Sequence, residues 1–336
     1  MVRSRAMLAS GFVHRIDPVN AEVGGVYFWW YGLSYTLGFL GTHLWLRRVR
    51  DRLGLTLGEV YNLTLFFCLG VLIGGRAVEV VFYEWAYYSR HPRHILWFWL
   101  GGMSTHGILL GAVAGMWLFC RLRGKSFLAI ADELVIPGAF YMGMGRIGNF
   151  IDGQIVGRLT DVPWAVQFPD AEGFRHPVVL YDGIKNLLLI PLLLYVRKRR
   201  PPTGIIASHF IFWYAFLRIF VDLYREYPTT LLGLATGQSF NLLMSLLGVL
   251  LFFWRKGRAA QLPSLPVSAV VPTRLRLKKA AFALLLLFPT IIPSDWTQDV
   301  PARYGERHPG MRHSRLYPEV HGAGSSSPST VEVDRK

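Results

Sequence analysis

The chain has 336 residues, of which 52% are hydrophobic and only 17% are charged, and its net charge is +15. Its mean hydropathy is +0.32, so the composition favours a membrane protein over a soluble one. Two cysteines are too few for a disulfide framework or a thiolate metal cage. The sequence has no Walker, dinucleotide-binding or H-E-x-x-H pattern, and we therefore expect neither a metal nor any other cofactor.

Apolar runs of about 20 residues are long enough to cross roughly 30 Å of hydrocarbon as helices. Seven such runs follow one another at 27–46, 60–83, 97–120, 127–150, 178–196, 204–224 and 238–254. They predict an all-α membrane protein with seven transmembrane helices. The helices make up a transmembrane domain over residues 27–258, which follows a short N-terminal segment at 1–26.

Basic clusters follow every odd-numbered run, at 47–52, 121–125, 197–200 and 255–258. Because Lys and Arg accumulate in cytoplasmic loops, the clusters predict a multi-pass protein whose N-terminus is outside and whose C-terminus is inside. Basic residues that set the topology and attract anionic lipid account for much of the positive net charge. We therefore expect a membrane partner and no nucleic acid.

The last part of the chain has a different composition. Residues 261–272 are interrupted by Pro and Ser, and basic residues then precede an apolar run, Ala280–Ile292. This run has about 13 residues and contains Pro289, so it is short for a span. The pattern favours a linker with an interfacial segment at 259–299 and leaves an eighth crossing open. Residues 300–336, rich in Gly, Pro and Ser, predict a disordered tail.

Several polar side chains fall within or at the rim of the runs, where charge is costly and indicates function. Arg76 and Glu79 are three residues apart, which fits an intrahelical ion pair as well as a ligand role. His106 alone would most often be a hydrogen-bonded core histidine. It belongs, however, to the same predicted membrane end as Arg146 and Arg218, and this company favours a functional role for His106.

The sixth run places Arg218 and Asp222 four residues apart on one helical face, with Arg225 one turn further. Ion pairing could account for this spacing. Two arginines from different helices with a single nearby carboxylate nevertheless favour a phosphate, which a guanidinium can hold in bidentate fashion. A phospholipid headgroup is the phosphate available at this depth.

Six motifs occur in order on the predicted spans. They are Trp30-Tyr31-Gly32-Leu33, Gly74-Gly75-Arg76 with Tyr83, Gly101–Gly107, the stretch Gly145–Arg158 that carries Asn149, His176–Asp182, and the segment around Arg218. With these motifs, the chain resembles the bacterial prolipoprotein diacylglyceryl transferases over about residues 20–258. That family transfers diacylglyceryl from phosphatidylglycerol to the thiol of a lipobox cysteine in a prolipoprotein signal peptide, and glycerol phosphate is released.

The resemblance implies a transferase of the bacterial inner membrane with these two substrates as partners and a small periplasmic head at 159–175. It makes His106, Arg146 and Arg218 the candidate catalytic residues. His106 would activate the thiol as a base or a donor, and the arginines would stabilise the leaving phosphate. The candidate substrate-binding residues, besides Arg146, are Tyr31, Asn149, Asp152, Gln154, Gly157, Arg158, Asp222 and Arg225.

Asp152 and Gln154 depart from the family pattern, which has Asn and Glu at these positions. If a carboxylate must hold Arg146 and Arg158, Asp152 has to supply it here. Two other classes stay open: a non-catalytic or altered-substrate relative that binds lipid or signal peptides, and a transporter of anionic lipid. Inverted repeats would favour a transporter, and the sequence shows no internal repeat.

Overall fold

The computed structural model describes residues 11–226, 230–231, 234–258, 274–294 and 298–320. Its helices are α1 Trp30–Val49, α2 Leu57–Val78, α3 Trp85–Tyr88, α4 Thr105–Arg123, α5 Phe127–Ile151, α6 Val178–Lys198, α7 Ile205–Asp222, α8 Thr236–Lys256, α9 Leu275–Leu287 and α10 Val300–Tyr304. A π-helical turn, Glu79–Tyr83, extends α2, and short 3-10 helices lie at Pro92–Leu96, Phe98–Leu100 and Phe288–Ile291.

Six of these helices are long and apolar enough to cross a membrane, and they make the chain a multi-pass membrane protein. They are Leu57–Tyr83, Thr105–Arg123, Phe127–Ile151, Val178–Lys198, Ile205–Asp222 and Gln238–Lys256. The first predicted run folds as the 20-residue helix α1. Its buried residues include Ser34, Thr42 and His43, which lower its hydropathy. The third run was expected to begin at residue 97, but its helix begins at Thr105, where Ser104 caps the N-terminus.

The helices run alternately between two ends of the bundle. At one end, Lys125 Nζ lies 3.5 Å from Glu59 Oε1, Arg197 Nε lies 3.0 Å from Glu133 Oε2, and the loop at Gly204 donates a backbone hydrogen bond to Asp132 at 2.6 Å. The predicted basic clusters meet here, and we call it the basic end. The opposite end, where α1 begins beside the end of α5, is the site end.

Close packing of α2 on α4 determines how the bundle opens. Glycines line this contact from both helices, and a Cβ on Gly111 would lie 1.9 Å from the carbonyl oxygen of Gly70. Gly74 allows the same close approach, because a Cβ there would lie 2.4 Å from the carbonyl oxygen of Gly107. Since α4 follows α2 so closely, it barely touches α5, and a cleft separates α4 from α5.

Short strands form at the site end. An antiparallel hairpin joins β2 Val19–Val23 to β3 Val26–Trp29. In a second sheet, β1 Phe12–Val13 lies parallel to β4 Val166–Gln167, which pairs in antiparallel fashion with β5 Phe174–Arg175. A third pair joins β6 Thr230–Leu231 to β7 Leu234–Ala235. These strands and the loop at 85–104 form the head above the bundle.

The structure corrects the prediction for residues 274–294. Near the start of α9, Lys278 Nζ donates to the Gly58 carbonyl at the basic end, at 3.3 Å. Further along, Thr36 Oγ1 donates to the Leu286 carbonyl at 2.6 Å, and Ser294 reaches Asn149 at the site end. The segment is therefore not interfacial but runs the length of the bundle. The 3-10 turn and extended residues after α9 supply the length that the 13-residue helix lacks.

Residues 300–320, expected to be disordered, are folded. Val300, Tyr304, Met311 and Tyr317 pack with Val19, Tyr27, Trp29 and Leu100 in one buried cluster. Apolar side chains spaced through a polar sequence supply enough burial to fold this stretch. It lies at the same end as residues 11–29, so the predicted placement of the C-terminus opposite the N-terminus does not hold for residues 298–320. It also enlarges the head beyond the predicted 159–175. The remainder of the predicted tail, 321–336, lies outside the described residues.

Candidate active site

A buried carboxylate organises the ionic side chains at the site end. Asp182, in the first turns of α6, is 1% exposed. Its Oδ2 lies 2.6 Å from Arg146 Nε of α5 and also pairs with Arg218 NH1 of α7. Its Oδ1 lies 2.8 Å from Lys185 Nζ. One carboxylate thus holds three cations from three helices, and it places the two candidate catalytic arginines side by side.

A second carboxylate supports Arg218 from its own helix. Arg218 Nε lies 2.9 Å from Asp222 Oδ1, and Asn241 of α8 donates to Asp222 Oδ2 at 2.9 Å. The predicted pair between Arg218 and Asp222 is confirmed. The expectation that the two arginines share a single carboxylate is wrong, because Asp182 is a second one. Asp182 was missed because nothing in the spacing places it beside Arg146 and Arg218, each 36 positions away, and Lys185, which pairs with Asp182 three residues earlier, was missed with it.

Arg225 lies beside the same cluster. With Arg146 and Arg218, it lines a small cavity whose other walls are aliphatic, including Ile155 and Val178. Among the described residues, Asp182 pairs with Arg146, Arg218 and Lys185 beside this cavity, and Asp222 pairs with Arg218. Arg76, by contrast, is structural. It donates to the carbonyls of the 94–102 loop.

An apolar cleft of about 190 Å³ leads to the cluster. Ile108, Ala112 and Met116 of α4 face Leu134, Gly138 and Met142 of α5 across it. At its polar end lie Tyr31, Arg146 and Asn149. The Tyr31 hydroxyl is 2.8 Å from the hydroxyl of Tyr35. A cleft with an apolar body and a cationic end suits an amphiphile with a negatively charged headgroup.

Asn149 and Asp152 both contact the C-terminal segment. Arg146 NH1 donates to Asn149 Oδ1 at 3.2 Å, and Asn149 Nδ2 donates to Ser294 Oγ at 2.8 Å. The buried carboxylate of Asp152 accepts a hydrogen bond from the Ser294 backbone N–H at 3.0 Å. The hypothesis that Asp152 holds Arg146 and Arg158 is wrong. Arg146 pairs with Asp182 instead, and Arg158 Nε donates to the Arg225 carbonyl at 3.3 Å.

The rest of the Gly145–Arg158 stretch forms the loop beside this cluster. The backbone N–H of Gln154 donates to the Asn149 carbonyl, and that of Gly157 donates to the His176 carbonyl at 3.1 Å. A Cβ on Gly157 would lie 2.5 Å from that carbonyl oxygen. Gly157 therefore packs closely against the chain's own backbone, and its role in binding substrate stays a prediction. Arg158 is exposed.

His176, whose carbonyl accepts from Gly157, is partly buried. This burial lowers the pKa of its imidazole.

His106 lies apart from the arginine cluster. Its exposed ring contacts Tyr83, with 3.3 Å between the hydroxyl and Nδ1, and its centroid is 6.4 Å from that of Phe240. Of the three candidate catalytic residues, Arg146 and Arg218 are joined by Asp182, and His106 lies outside the cleft that Arg146 lines. Thr105 lines the cleft, whereas His106 does not, because consecutive residues point about 100° apart around a helix.

Within the described residues, no group of three or more His, Cys, Asp or Glu could hold a metal ion.

Comparisons with known proteins agree with these motifs. A sequence profile of the family described as prolipoprotein diacylglyceryl transferase matches residues 18–254. Several curated relatives bear the name phosphatidylglycerol–prolipoprotein diacylglyceryl transferase. The one from Geobacter sulfurreducens is 38% identical over 66% of this chain and 86% of its own length. That from Bordetella avium is 38% identical over 74% and 98%, and that from Nitratidesulfovibrio vulgaris is 40% identical over 70% and 93%.

Proposed function

Because the chain belongs to the prolipoprotein diacylglyceryl transferase family, we propose that this transferase binds the phosphate of phosphatidylglycerol at the cluster of Arg146, Arg218 and Arg225. The reaction is the transfer of diacylglyceryl from phosphatidylglycerol to a prolipoprotein, the first step of lipoprotein maturation. The acceptor is the thiol of the lipobox cysteine in the precursor's signal peptide.

The chemistry requires positive charge at the phosphate. The thiolate sulfur attacks the glyceryl carbon that carries the phosphate oxygen, so that a C–S bond forms and a C–O bond breaks. The electron pair stays on the phosphate, which changes from a diester with one negative charge to glycerol phosphate with two. Guanidinium groups fixed around that phosphate stabilise the charge as it develops. The convergence of Arg146, Arg218 and Arg225 on one cavity is the observation that carries this proposal.

The neighbouring cleft supplies a place for the acyl chains. Its apolar walls from α4 and α5 continue to Tyr31, Arg146 and Asn149, so a lipid whose chains lie in the cleft has its headgroup at the arginines. Binding the chains also fixes the glyceryl carbon relative to the cations, which lowers the entropic cost of the attack. Tyr31 and Asn149 would orient the headgroup.

We assign thiol activation to His106. A cysteine thiol with a pKa near ~8.5 is mostly protonated at neutral pH, and an imidazole can accept its proton. The exposed ring of His106, next to Tyr83, can meet a cysteine presented by a transmembrane signal peptide. Thr105, the residue before His106, lines the cleft, so on this proposal the thiolate formed beside His106 reaches the glyceryl carbon over the N-terminal end of α4.

The proposed location is the bacterial inner membrane, with the basic end in the cytoplasm because the basic clusters meet there. The α1 helix would cross with the six apolar helices, and the 275–294 segment would cross once more. A membrane-impermeant maleimide added from the periplasmic side should label Asp170→Cys and spare Gly257→Cys. The native cysteines Cys68 and Cys120 are buried and give little background. The opposite labelling pattern would reject this orientation.

Direct assay tests the function. Purified protein is mixed with phosphatidylglycerol and a lipobox peptide, and peptide mass gain and glycerol phosphate release are followed together. We expect both in equal amounts, and neither when the peptide cysteine is replaced by serine. Modification of the peptide by another phospholipid, but not by phosphatidylglycerol, would indicate an altered substrate. Lipid binding with no peptide modification would indicate a non-catalytic relative.

A further inference from the structure

The C-terminal strap, defined here as Leu275–Ser294 with residues 298–320, lies outside the region matched by the family. It contacts the motif helices closely. Gly32, in the first motif, touches the 3-10 turn of the strap so tightly that a Cβ would lie 2.1 Å from the carbonyl oxygen of Pro289. Leu285 and Ile292 of the strap are buried in one cluster with Tyr31, Tyr35 and Phe39 of α1. The strap is therefore part of the packed bundle.

Polar contacts hold the strap at the site end, both at Asp152 of the Gly145–Arg158 stretch and in the head above it. The Ser294 backbone N–H donates to Asp152 Oδ2, and Arg307 NH2 donates to the Asp152 carbonyl at 3.0 Å. Above this point, His308 Nδ1 lies 2.8 Å from Asp17 Oδ2, and the Tyr27 backbone N–H donates to the Tyr317 hydroxyl at 3.1 Å. Several independent contacts thus keep Ser294 at one position.

One side chain of the strap reaches the arginine cluster through a single intermediate. Ser294 Oγ accepts a hydrogen bond from Asn149 Nδ2 at 2.8 Å, and Asn149 Oδ1 accepts one from Arg146 NH1 at 3.2 Å. Because Ser294 Oγ accepts the hydrogen bond from Nδ2, the Oδ1 end of the Asn149 amide is the end that points toward the Arg146 guanidinium. Asp182 holds the Nε side of Arg146, so Asn149 determines the direction of the NH1 side.

Resting on the proposed function, we propose that Ser294 is a positioning residue for diacylglyceryl transfer: through Asn149 it orients the Arg146 guanidinium toward the phosphate. The strap therefore contributes a residue to the active site from beyond the region that the family profile matches. Ser294 itself touches no reacting atom. Its effect is on the orientation of a donor that acts as the leaving group acquires charge.

The variant Ser294→Ala tests this role because it removes Oγ and leaves the backbone N–H that bonds Asp152. We expect kcat to fall about 10-fold with the KM for the peptide unchanged, and Ser294→Thr, which keeps a hydroxyl, to restore most of kcat. Thr290→Ala is the matched control: it removes a strap hydroxyl that bonds only the Leu287 carbonyl in its own turn, and its kcat should be unchanged. Equal kcat values for Ser294→Ala and the unmodified protein would overturn the inference.

Two readouts without turnover separate positioning from anchoring and from failure of the proposed function. Arg303 NH1 and Asp170 Oδ2 are 2.6 Å apart, so Arg303→Cys and Asp170→Cys should be joined by a short bis-maleimide, with and without Ser294→Ala. Loss of that cross-link in Ser294→Ala would make Ser294 an anchor and overturn the inference. The rise in Tm on adding phosphatidylglycerol should shrink in Ser294→Ala and not in Thr290→Ala. If phosphatidylglycerol raises the Tm of Ser294→Ala as much as that of Thr290→Ala, the inference is overturned, even if no transfer is detected.

Discussion

The basic end and the site end each hold a buried carboxylate between arginines, yet their surroundings differ. At the basic end, Glu133 pairs with Arg197 at 3.0 Å and with Arg52 at 3.4 Å. These arginine side chains are 24% and 34% exposed, against 13% for Arg146 and 11% for Arg218. Among the described residues, Arg146 of the site-end cluster lines the apolar cleft, whereas Glu133, Arg197 and Arg52 do not. A buried ion cluster therefore indicates a functional site when a cavity of matching chemistry reaches it, and the basic end is its internal control.

The largest expected effect comes from breaking the central ion cluster. Asp182→Asn leaves Arg146, Lys185 and Arg218 without their shared carboxylate, and loss of a fully buried partner costs about 3–5 kcal/mol. We expect a large fall in Tm in neutral detergent and partial recovery when phosphatidylglycerol is added, because its phosphate replaces the missing anion. Glu133→Gln at the basic end should also lose stability, but phosphatidylglycerol should not restore it. Equal recovery in both variants would mean that the lipid has no particular affinity for the site end.

The second effect is on catalysis. Arg146→Lys or Arg218→Lys keeps the charge and removes the planar fork, so we expect transfer to drop on the order of 100-fold with the protein still folded. Arg197→Lys at the basic end makes the same chemical change away from the cleft and should transfer at the normal rate. The measurement is initial-rate peptide modification in one lipid. Near-normal rates for both site-end variants would contradict the phosphate-binding role.

A smaller effect is expected at His106. If its imidazole takes the thiol proton, His106→Gln should slow transfer about 10-fold near pH 7 and less at pH 9, where more of the cysteine is already thiolate. His209→Gln, whose ring packs on Phe252 with centroids 5.6 Å apart, is the control and should leave the pH profile unchanged. A loss that stays constant across pH would assign His106 a hydrogen-bonding role instead.

The smallest effect concerns the head at the site end. His14 Nε2 donates to the Phe150 carbonyl at 2.7 Å, and burial lowers the pKa of His14. The unfolded chain therefore takes up a proton first, so stability is full above a pH of about 6.5 and falls as the pH drops below it. His14→Gln should flatten the change in Tm between pH 7.5 and 5.5. The same pH dependence in both proteins would show that another group is responsible.

Much of the bundle could be predicted from local pattern. The bounds of the fourth to seventh runs agree with α5 to α8 within about two residues, because hydropathy and length determine which segments form apolar helices. The Arg218–Asp222 pair also followed from helical periodicity alone. The start of α4 did not, because an apolar sequence such as Trp97–Leu100 can continue a helix or form a loop, and here Arg76 binds its carbonyls.

The sequence by itself determined that this is a helical membrane protein, which family it resembles and which arginines its site contains. Only the tertiary structure decided that Asp182 lies between those arginines, that His106 faces away from them, and that the C-terminal strap returns to hold Asn149 and Asp152. The physical reason is range. Helix formation and amphipathicity depend on neighbours within a few turns, whereas these contacts join residues from 23 to more than 140 positions apart.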